Sequence, residues 1–321
     1  MMPVLRTMGR QAPWVLVGGV VLGLMLPGLG NIIGVMVPLL VVMLLTVAMM
    51  RVDVPQVVLH LRRPFRLAAV LVVFMAAMPL FVHLLAGYFN LPPALHTGLV
   101  LLACAPPLSA NASMAAFLGL DDALVLNVMV VGTLIVPLSA PLLAATLLET
   151  AIDLDAGSMF IRLAIATGLS LVAAYVLRRS IGRQRIERNF DVLDGMSSLL
   201  MVIFAIVVMN GIAVTQTQGL PQIAGVLGLV LLANWGAHAL SGLGLWIFRD
   251  LRQVSFTPQD GAISLMVGNR NMALIMAVLP AELAGSLLLF FALYQVPIYL
   301  TPVLAKPLYR RLLSGSSRSP S

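Results

Sequence analysis

Long apolar runs, separated by short polar or proline- and glycine-rich segments, make up most of the sequence. One α-helix needs about 20 consecutive apolar residues to cross the hydrocarbon core of a bilayer. Ten such runs are present, and each is predicted to form one transmembrane span. Their approximate boundaries are 13–29, 32–50, 66–87, 95–119, 122–147, 159–178, 192–214, 221–248, 258–280 and 285–305.

The composition leads to the same fold class. Of the 321 residues, 60% are hydrophobic and 10% are charged, whereas soluble proteins contain roughly 25% charged residues. The loops between the runs are too short for a soluble domain. A water-soluble enzyme is therefore excluded, and an intramembrane enzyme is disfavoured because no catalytic set of side chains lies at membrane depth. We predict an all-α polytopic membrane protein whose surroundings are a lipid bilayer.

The net charge of +7 comes from basic residues in alternate loops. They precede span one and follow spans two, six, eight and ten, so ten crossings place them all on one side of the membrane. Lysine and arginine accumulate in cytoplasmic loops, and both termini are therefore predicted to be cytoplasmic. Because the orientation in the membrane accounts for the basic residues, no nucleic-acid partner is predicted. The expected location is a bacterial inner (plasma) membrane.

The two halves of the chain resemble each other at an offset near 160 residues. The segment Asn-Ala-Ser-Met-Ala that begins at Asn111 matches Asn-Arg-Asn-Met-Ala, which begins at Asn269, and Pro137 matches Pro297. Since each half holds five spans, an odd number, the second half must enter the membrane from the opposite side. Inverted repeats are typical of secondary transporters. The predicted five-helix repeats are 1–158 and 159–321.

Two spans contain polar interruptions at corresponding positions of the halves. Span four contains Pro106 and Pro107, which lack backbone N–H donors and disfavour helix at the preceding residue. Span nine contains Gly268-Asn-Arg-Asn, which predicts half-helices over about 258–267 and 271–280. Paired interruptions of this kind indicate a substrate site near the bilayer midplane.

Arg270 lies near the middle of span nine, and no predicted span has an aspartate or glutamate at that depth. An arginine at this depth costs roughly 2.5–3.5 kcal/mol on insertion scales. Two interpretations are open: Arg270 donates to carbonyls freed by the break in span four, or it binds a carboxylate-like substrate together with half-helix N-termini. Both can hold in alternating states. The candidate substrate-binding residues are Ser109, Asn111, Ser113, Asn127, Thr133, Asn269, Arg270 and Asn271.

These features resemble the bile acid/sodium symporter family, part of a superfamily with arsenite exporters and auxin-carrier-like proteins. The resemblance rests on Met-Arg-Val-Asp53, on Met78-Pro79 and on an ungapped stretch over 105–143. It implies ten helices in two inverted five-helix repeats, with helices four and nine broken and crossing. It further implies anion symport with sodium by alternating access. The implied panel domain covers about 13–50 and 159–214, and the implied core domain covers about 66–147 and 221–305.

The sequence departs from the family at its sodium sites. Sodium-coupled members have Glu-x-Gly-x-Gln-Asn in helix nine, whereas Met266 and Arg270 stand here in place of the sodium-ligating Glu and Gln. Phe74 stands where helix three supplies a further sodium-ligating Gln. Because sodium prefers hard oxygen ligands and a guanidinium repels it, we expect these sites to be damaged, with Arg270 as a built-in cation. No cofactor and no other metal site is predicted.

The leading hypothesis is a secondary transporter of a small organic anion, with no obligate protein partner. Arg270-Asn271 also resembles the Arg-Asn pair of arsenite exporters, which makes metalloid or other anion efflux the alternative. Against that alternative, the helix-four cysteine of those exporters corresponds to Pro107, and their acidic residue corresponds to Ala273. A membrane sensor derived from a transporter is the hypothesis from another class.

Overall fold

A computed structural model describes residues 2–25, 36–52, 64–148, 155–214 and 219–314. Apart from one isolated β-bridge, the regular structure of these residues is helical. The all-α class is thereby confirmed. In chain order the helices are α1 Met2–Arg10, α2 Ala12–Met25, α3 Val37–Met50, α4 64–88, α5 Pro93–Cys104, α6 Asn111–Leu118, α7 Asp122–Leu148, α8 Ala156–Ile181, α9 Arg183–Glu187, α10 Phe190–Val214, α11 220–251, α12 Pro258–Gly268, α13 Met272–Met276, α14 Ala281–Ser286 and α15 Leu288–Ser314.

Six helical segments of the described residues are long and apolar enough to cross a membrane. They coincide within a few residues with predicted spans three, five, six, seven, eight and ten, except that the last segment continues eight residues beyond the predicted end of span ten. The segments are Leu67–Tyr88, Asp122–Leu148, Ala156–Ile181, Phe190–Met209, Leu220–Leu251 and Leu288–Leu313.

The other four predicted spans correspond to shorter helices. Spans one and two correspond to α2 and α3. Both helices are shorter than predicted because residues 26–35, between them, lie outside the described residues. The predicted loop segments 53–63 and 149–154 also lie outside the described residues. Spans four and nine are each divided into two helices, α5 and α6, and α12 and α13. The second half of span nine was predicted too long, since α13 ends at Met276. The chain turns before Pro280, which disfavours helix at the preceding residue.

Two of the long helices contain one π-helical turn each, Val73–Ala77 in α4 and Leu232–Gly236 in α11. In the first turn the N–H of Met78 donates to the carbonyl of Val73, five residues earlier. Single π turns inside α-helices occur often at functional sites. The two turns are 159 positions apart, which is close to the offset between the sequence halves.

The helices form two groups of neighbours that share one buried core. In the first group α10 packs against α2 and α3, and α3 packs against α8. In the second group α7 packs against α5 and α6, while α11 packs against α12 and α15. The groups meet where α10 contacts α15 and where α7 contacts α8. The interrupted helices lie in the second group and face the first.

Two glycines allow α1 to lie directly against α10. A Cβ atom at Gly195 would lie 1.9 Å from the carbonyl oxygen of Leu5, and one at Gly9 would lie 2.2 Å from that of Asp191. Both contacts involve backbone, which cannot move aside like a flexible side chain. The close approach therefore requires both glycines.

Gly195→Ala is expected to destabilise the protein by roughly 1–3 kcal/mol, the usual range for overpacking, because its methyl group overlaps the α1 backbone. Thermal unfolding of the purified protein in detergent measures the effect. The control is Gly168→Ala on α8, where an added Cβ meets nothing within 4 Å. An unchanged melting temperature for Gly195→Ala would contradict the α1–α10 contact.

Candidate functional site

The two interrupted segments, 105–110 and 269–271, lie side by side and antiparallel; we call this pair the crossing. The N–H of Leu108 donates to the carbonyl of Asn269 at 3.0 Å, and that of Asn271 donates to the carbonyl of Pro106 at 2.7 Å. Pro107 and Arg270 form the β-bridge between them. Pairing satisfies part of the backbone that would otherwise be unsatisfied at membrane depth.

The guanidinium of Arg270 lies at the crossing and is held by three backbone carbonyls. Its Nη1 atom donates to Phe74 O and Ala105 O, both at 3.2 Å, and its Nε atom donates to Val267 O at 3.2 Å. Its Cζ atom lies 4.7 Å from the centroid of the Phe74 ring, within the range of a cation–π contact. The residue is 2% exposed. No described carboxylate is paired with it.

Each of the three carbonyls is available because a helix is irregular there. In the π turn of α4 the donor comes from the fifth following residue, and for Phe74 this residue is Pro79, which has no N–H. Ala105 lies at the end of α5 in an extended conformation. The N–H of Asn271, which a continuous helix would direct to Val267, donates across the crossing instead.

Side chains from α11 and α15 satisfy the backbone around Arg270. The hydroxyl of Tyr294 accepts from the Arg270 N–H at 3.1 Å and donates to the carbonyl of Gly268. The Asn234 amide donates to that carbonyl at 2.8 Å and to Asn269 Oδ1 at 2.9 Å. Gly268 must lack a side chain, because a Cβ there would lie 1.9 Å from the His238 ring.

A cavity of about 20 Å³ adjoins the crossing, which is room for about one water molecule. Its polar wall consists of Ser109, Arg270, Asn271 and Gln295, and its apolar wall includes residues of α3, α10 and α15. The Nη2 atom of Arg270 is buried and has no hydrogen-bond partner. The guanidinium therefore keeps unused donors although the residue is 2% exposed.

Three of the predicted site residues have a buried oxygen without a partner: Asn111 Oδ1, Asn127 Oδ1 and Thr133 Oγ1. Asn111 belongs to the crossing, because its Nδ2 donates to Asn269 O at 3.0 Å. Asn127 donates to Ala123 O of its own helix at 2.7 Å, and no described contact joins it or Thr133 to the crossing. These oxygens can accept a hydrogen bond from water or from a ligand.

Ser113 lies in a separate polar group with Arg51 and Asp194, which we call the Arg51 cluster. The Ser113 hydroxyl donates to Asp194 Oδ1 at 2.6 Å, and Arg51 Nη1 donates to both partners. The Arg51 and Asp194 side chains are only 15% and 18% exposed. The cluster joins α6 to α3 and α10. Sequence reasoning missed Arg51 and Asp194, although each is a charge at the edge of an apolar run.

A second cavity, of about 60 Å³, lies beside the Arg51 cluster. Its walls include Ala110, Ser113 and Asp194. Met201 of α10 lines this cavity and also the cavity at the crossing. The Met201 backbone accepts from the Tyr299 hydroxyl at 3.2 Å. Met201 is thus a residue that the linings of the two cavities share.

Helix α8 is joined to the rest of the molecule near both of its ends. Arg178 Nη1 donates to the carbonyl of Met50 at 3.1 Å, next to Arg51 of the Arg51 cluster. Arg162 Nη1 donates to the carbonyl of Val278, beyond α13, at 3.3 Å. The two arginines are 16 residues apart on one helix, roughly 24 Å at 1.5 Å per residue. Arg178 thus holds α8 to α3 within the first group, whereas Arg162 joins α8 to the second group near α13.

The comparison with known families decides the protein's class. The sequence signature of the Sodium Bile acid symporter family matches residues 37–217, more than half of the chain. The chain belongs to the Sodium Bile acid symporter family. This membership, together with the six apolar helices, makes it a multi-pass membrane protein of a family whose members are transporters. The match ends before α11, so it includes only one of the two segments of the crossing.

A curated relative is similar over a longer region. The chain is 23% identical over 221 residues to YocS of Bacillus subtilis (strain 168), described as an uncharacterized sodium-dependent transporter. The aligned region is 69% of this chain and 66% of YocS, just under two thirds of that protein's length. This similarity agrees with the family membership.

The sodium ion that the family name implies does not fit the residues present at the expected positions. Met266 offers a thioether, Phe74 a phenyl ring and Arg270 a cation, whereas sodium is a hard ion that takes oxygen ligands. Among the described residues no group of three or more His, Cys, Asp or Glu side chains can hold a metal ion. We therefore assign no step of transport to a bound metal.

Tyr294, Gln295 and Tyr299 are site residues that sequence reasoning missed. All three lie on α15 and are buried in an apolar helix. In the sequence they form a group of polar side chains inside predicted span ten, where no glycine or proline pair marks a helix break. The tyrosine hydroxyls satisfy backbone atoms rather than forming a recognisable motif.

Tyr294→Phe is expected to lower the free energy of unfolding by roughly 1–3 kcal/mol, the cost of a buried unsatisfied polar group. The variant leaves the Arg270 N–H without its acceptor. Thermal unfolding in detergent measures the change, with Tyr175→Phe at an exposed position of α8 as the matched control. Equal stability of the two variants would show that the hydroxyl does not support the crossing.

Proposed function

We propose that this chain is a secondary transporter of a small organic anion, which works by alternating access and binds the anion at Arg270. The observation that carries the proposal is the buried Nη2 atom of Arg270, which has no partner and belongs to a residue that lines the cavity at the crossing. A guanidinium binds a carboxylate through two parallel N–H donors. The group is not neutralised by a carboxylate of the described residues, so an anionic substrate supplies the missing charge.

The polarity of the cavity wall limits the substrate that we propose. Ser109, Asn271 and Gln295 line the same cavity as Arg270 and can bind the oxygens of the anion. The lining also includes the apolar residues Leu44 and Phe204, and the cavity of about 20 Å³ has to widen to admit an anion larger than a water molecule. We infer that the substrate is a small monocarboxylate or a similar anion. Asn111 and Asn269 hold the two segments of the crossing in position for it.

We propose that the chain spans the membrane ten times, in two inverted five-helix repeats, 1–158 and 159–321. The repeat of the π turns in α4 and α11 and the pairing of the two interrupted segments support this topology. The first group of helices corresponds to a panel domain and the second to a core domain. The charge pattern of the loops supports cytoplasmic termini in a bacterial inner membrane.

Alternating access requires that the contacts on the two sides of the crossing break in turn. We propose that the Arg51 cluster closes one side and that the contact of Arg162 with Val278 closes the other. Opening the Arg51 cluster would connect the two cavities past Met201 and release the anion on that side. Ser113 then lies on the exit path, and Asn127 and Thr133 offer acceptors along α7.

Arg270→Gln is expected to abolish the stabilisation of the protein by small carboxylates, because it removes the positive charge. Arg270→Lys keeps the charge without the planar fork and is expected to bind more weakly. The measurement is a thermal-shift screen of purified protein with acetate, pyruvate, benzoate and methanesulfonate. Arg252→Gln, at an exposed position of the described chain, is the control. A carboxylate response that survives in Arg270→Gln would contradict the anion site.

Asp194→Asn is expected to open the Arg51 cluster, because the neutral amide binds Arg51 and Ser113 less strongly. The reporter is a cysteine in place of Ala110, which lines the second cavity, in a Cys104→Ser background. Its labelling by a water-soluble maleimide should become several-fold faster. Asp191→Asn, which removes only an exposed ion pair with Arg10, should leave the rate unchanged. Equal rates in the two variants would argue against a closing role for the cluster.

A further inference from the structure

We propose that the Arg270 guanidinium is a resident cation that occupies a cage of carbonyl oxygens at the crossing, so that no sodium ion binds there and transport needs none. This inference rests on the proposed function, because it replaces the coupling ion of a transporter by a side chain. If the guanidinium occupies the cage, removing the Arg270 side chain should leave a vacancy that accepts a free monovalent cation.

The first argument is the geometry of the ligands. Phe74 O, Ala105 O and Val267 O come from three different helices and meet at one guanidinium at 3.2 Å each. Each carbonyl is freed by a helix interruption or by a proline in the donor position. Freed backbone carbonyls that converge at membrane depth are the kind of ligand that binds alkali cations in channels and transporters. Here the cation is covalently attached.

The second argument is charge. Arg270 is 2% exposed and has no carboxylate partner among the described residues. Two cations within a few ångströms repel each other strongly in a medium of low dielectric constant. A sodium ion would therefore have to displace the guanidinium from its carbonyls in order to enter the cage. The side chain is tethered at a very high local concentration and is not displaced.

The third argument is the lining of the cage. The Phe74 ring lies against the guanidinium at 4.7 Å, and planar guanidinium groups stack on aromatic rings more readily than strongly hydrated ions do. The surroundings thus favour a weakly hydrated planar cation. The oxygens that are left without partners belong to Asn111, Asn127 and Thr133, none of which contacts Arg270 in the described hydrogen bonds.

The wild-type protein gives the first test. Purified full-length protein in detergent is heated in sodium chloride and in choline chloride at equal ionic strength, with no anionic substrate present. We expect the same melting temperature in both salts over the whole concentration series. A saturable rise of several degrees in sodium would overturn the proposal, because a ligand that binds the folded state raises its stability.

The variants give the second test. Arg270→Ala is expected to melt several degrees lower than wild type and to recover part of the loss in millimolar methylguanidinium. Methylurea, which is neutral and nearly the same shape, should not restore it. Arg252→Ala is the control and should respond to neither compound. A folded Arg270→Ala protein that gains nothing from methylguanidinium or from sodium would contradict the cage.

Arg270→Lys tests the proposal if the Arg270→Ala variant does not fold. Its ammonium group should remain in the cage, and its melting temperature should be the same in sodium and in choline. A sodium-dependent rise in this variant would overturn the proposal. None of these measurements uses a carboxylate, so the resident-cation inference can fail while the anion site at Arg270 stands, and the reverse also holds.

Discussion

The Arg270 guanidinium is buried and has no carboxylate partner among the described residues, so backbone carbonyls accept from its Nε and Nη1 atoms, and this constraint shapes the structure around it. Regular helices have no carbonyls to spare, since each accepts from a later N–H of the same helix. The chain frees three of them through a π turn before Pro79, a double proline after α5 and the end of α12. The helix interruptions therefore supply the carbonyls that the guanidinium needs, and the guanidinium supplies donors to those carbonyls.

The same arrangement underlies the proposed function. The carbonyls use only the Nε and Nη1 atoms of Arg270, so the Nη2 donors remain without a partner, and we propose that they bind the anion. The cavity lies between helices that contact one another on both sides of it, through the Arg51 cluster and through Arg162. Both contacts are polar, and in the proposed function they open in turn. In the proposed cycle, the tethered positive charge stays at the crossing whichever side is open.

The sequence predicted the features that depend on composition and on backbone chemistry. The long apolar runs, the two interruptions and the unpaired charge of Arg270 follow from residue types alone, and the structure confirms the all-helical class and six of the membrane-length helices. The π turns could not be predicted, because their hydrogen bonds depend on a single extra residue per turn. The partners of Ser113 could not be predicted either, since Arg51 and Asp194 are 143 positions apart in the chain. Tyr294 and Gln295 were missed because a short group of polar side chains in an apolar helix does not reveal which backbone atoms they will contact.

The most direct test of the account is the environment of the Arg270 side chain itself. Nitrogen-15 NMR of arginine-labelled protein in lipid, with Arg270→Lys used to assign the signal, reports hydrogen exchange and chemical shift for each guanidinium nitrogen. The account predicts slow exchange at Nε and Nη1, together with a shift of Nη2 that saturates as a small carboxylate is added. Exchange as fast as that of the exposed arginines, with no change on adding carboxylate, would contradict it.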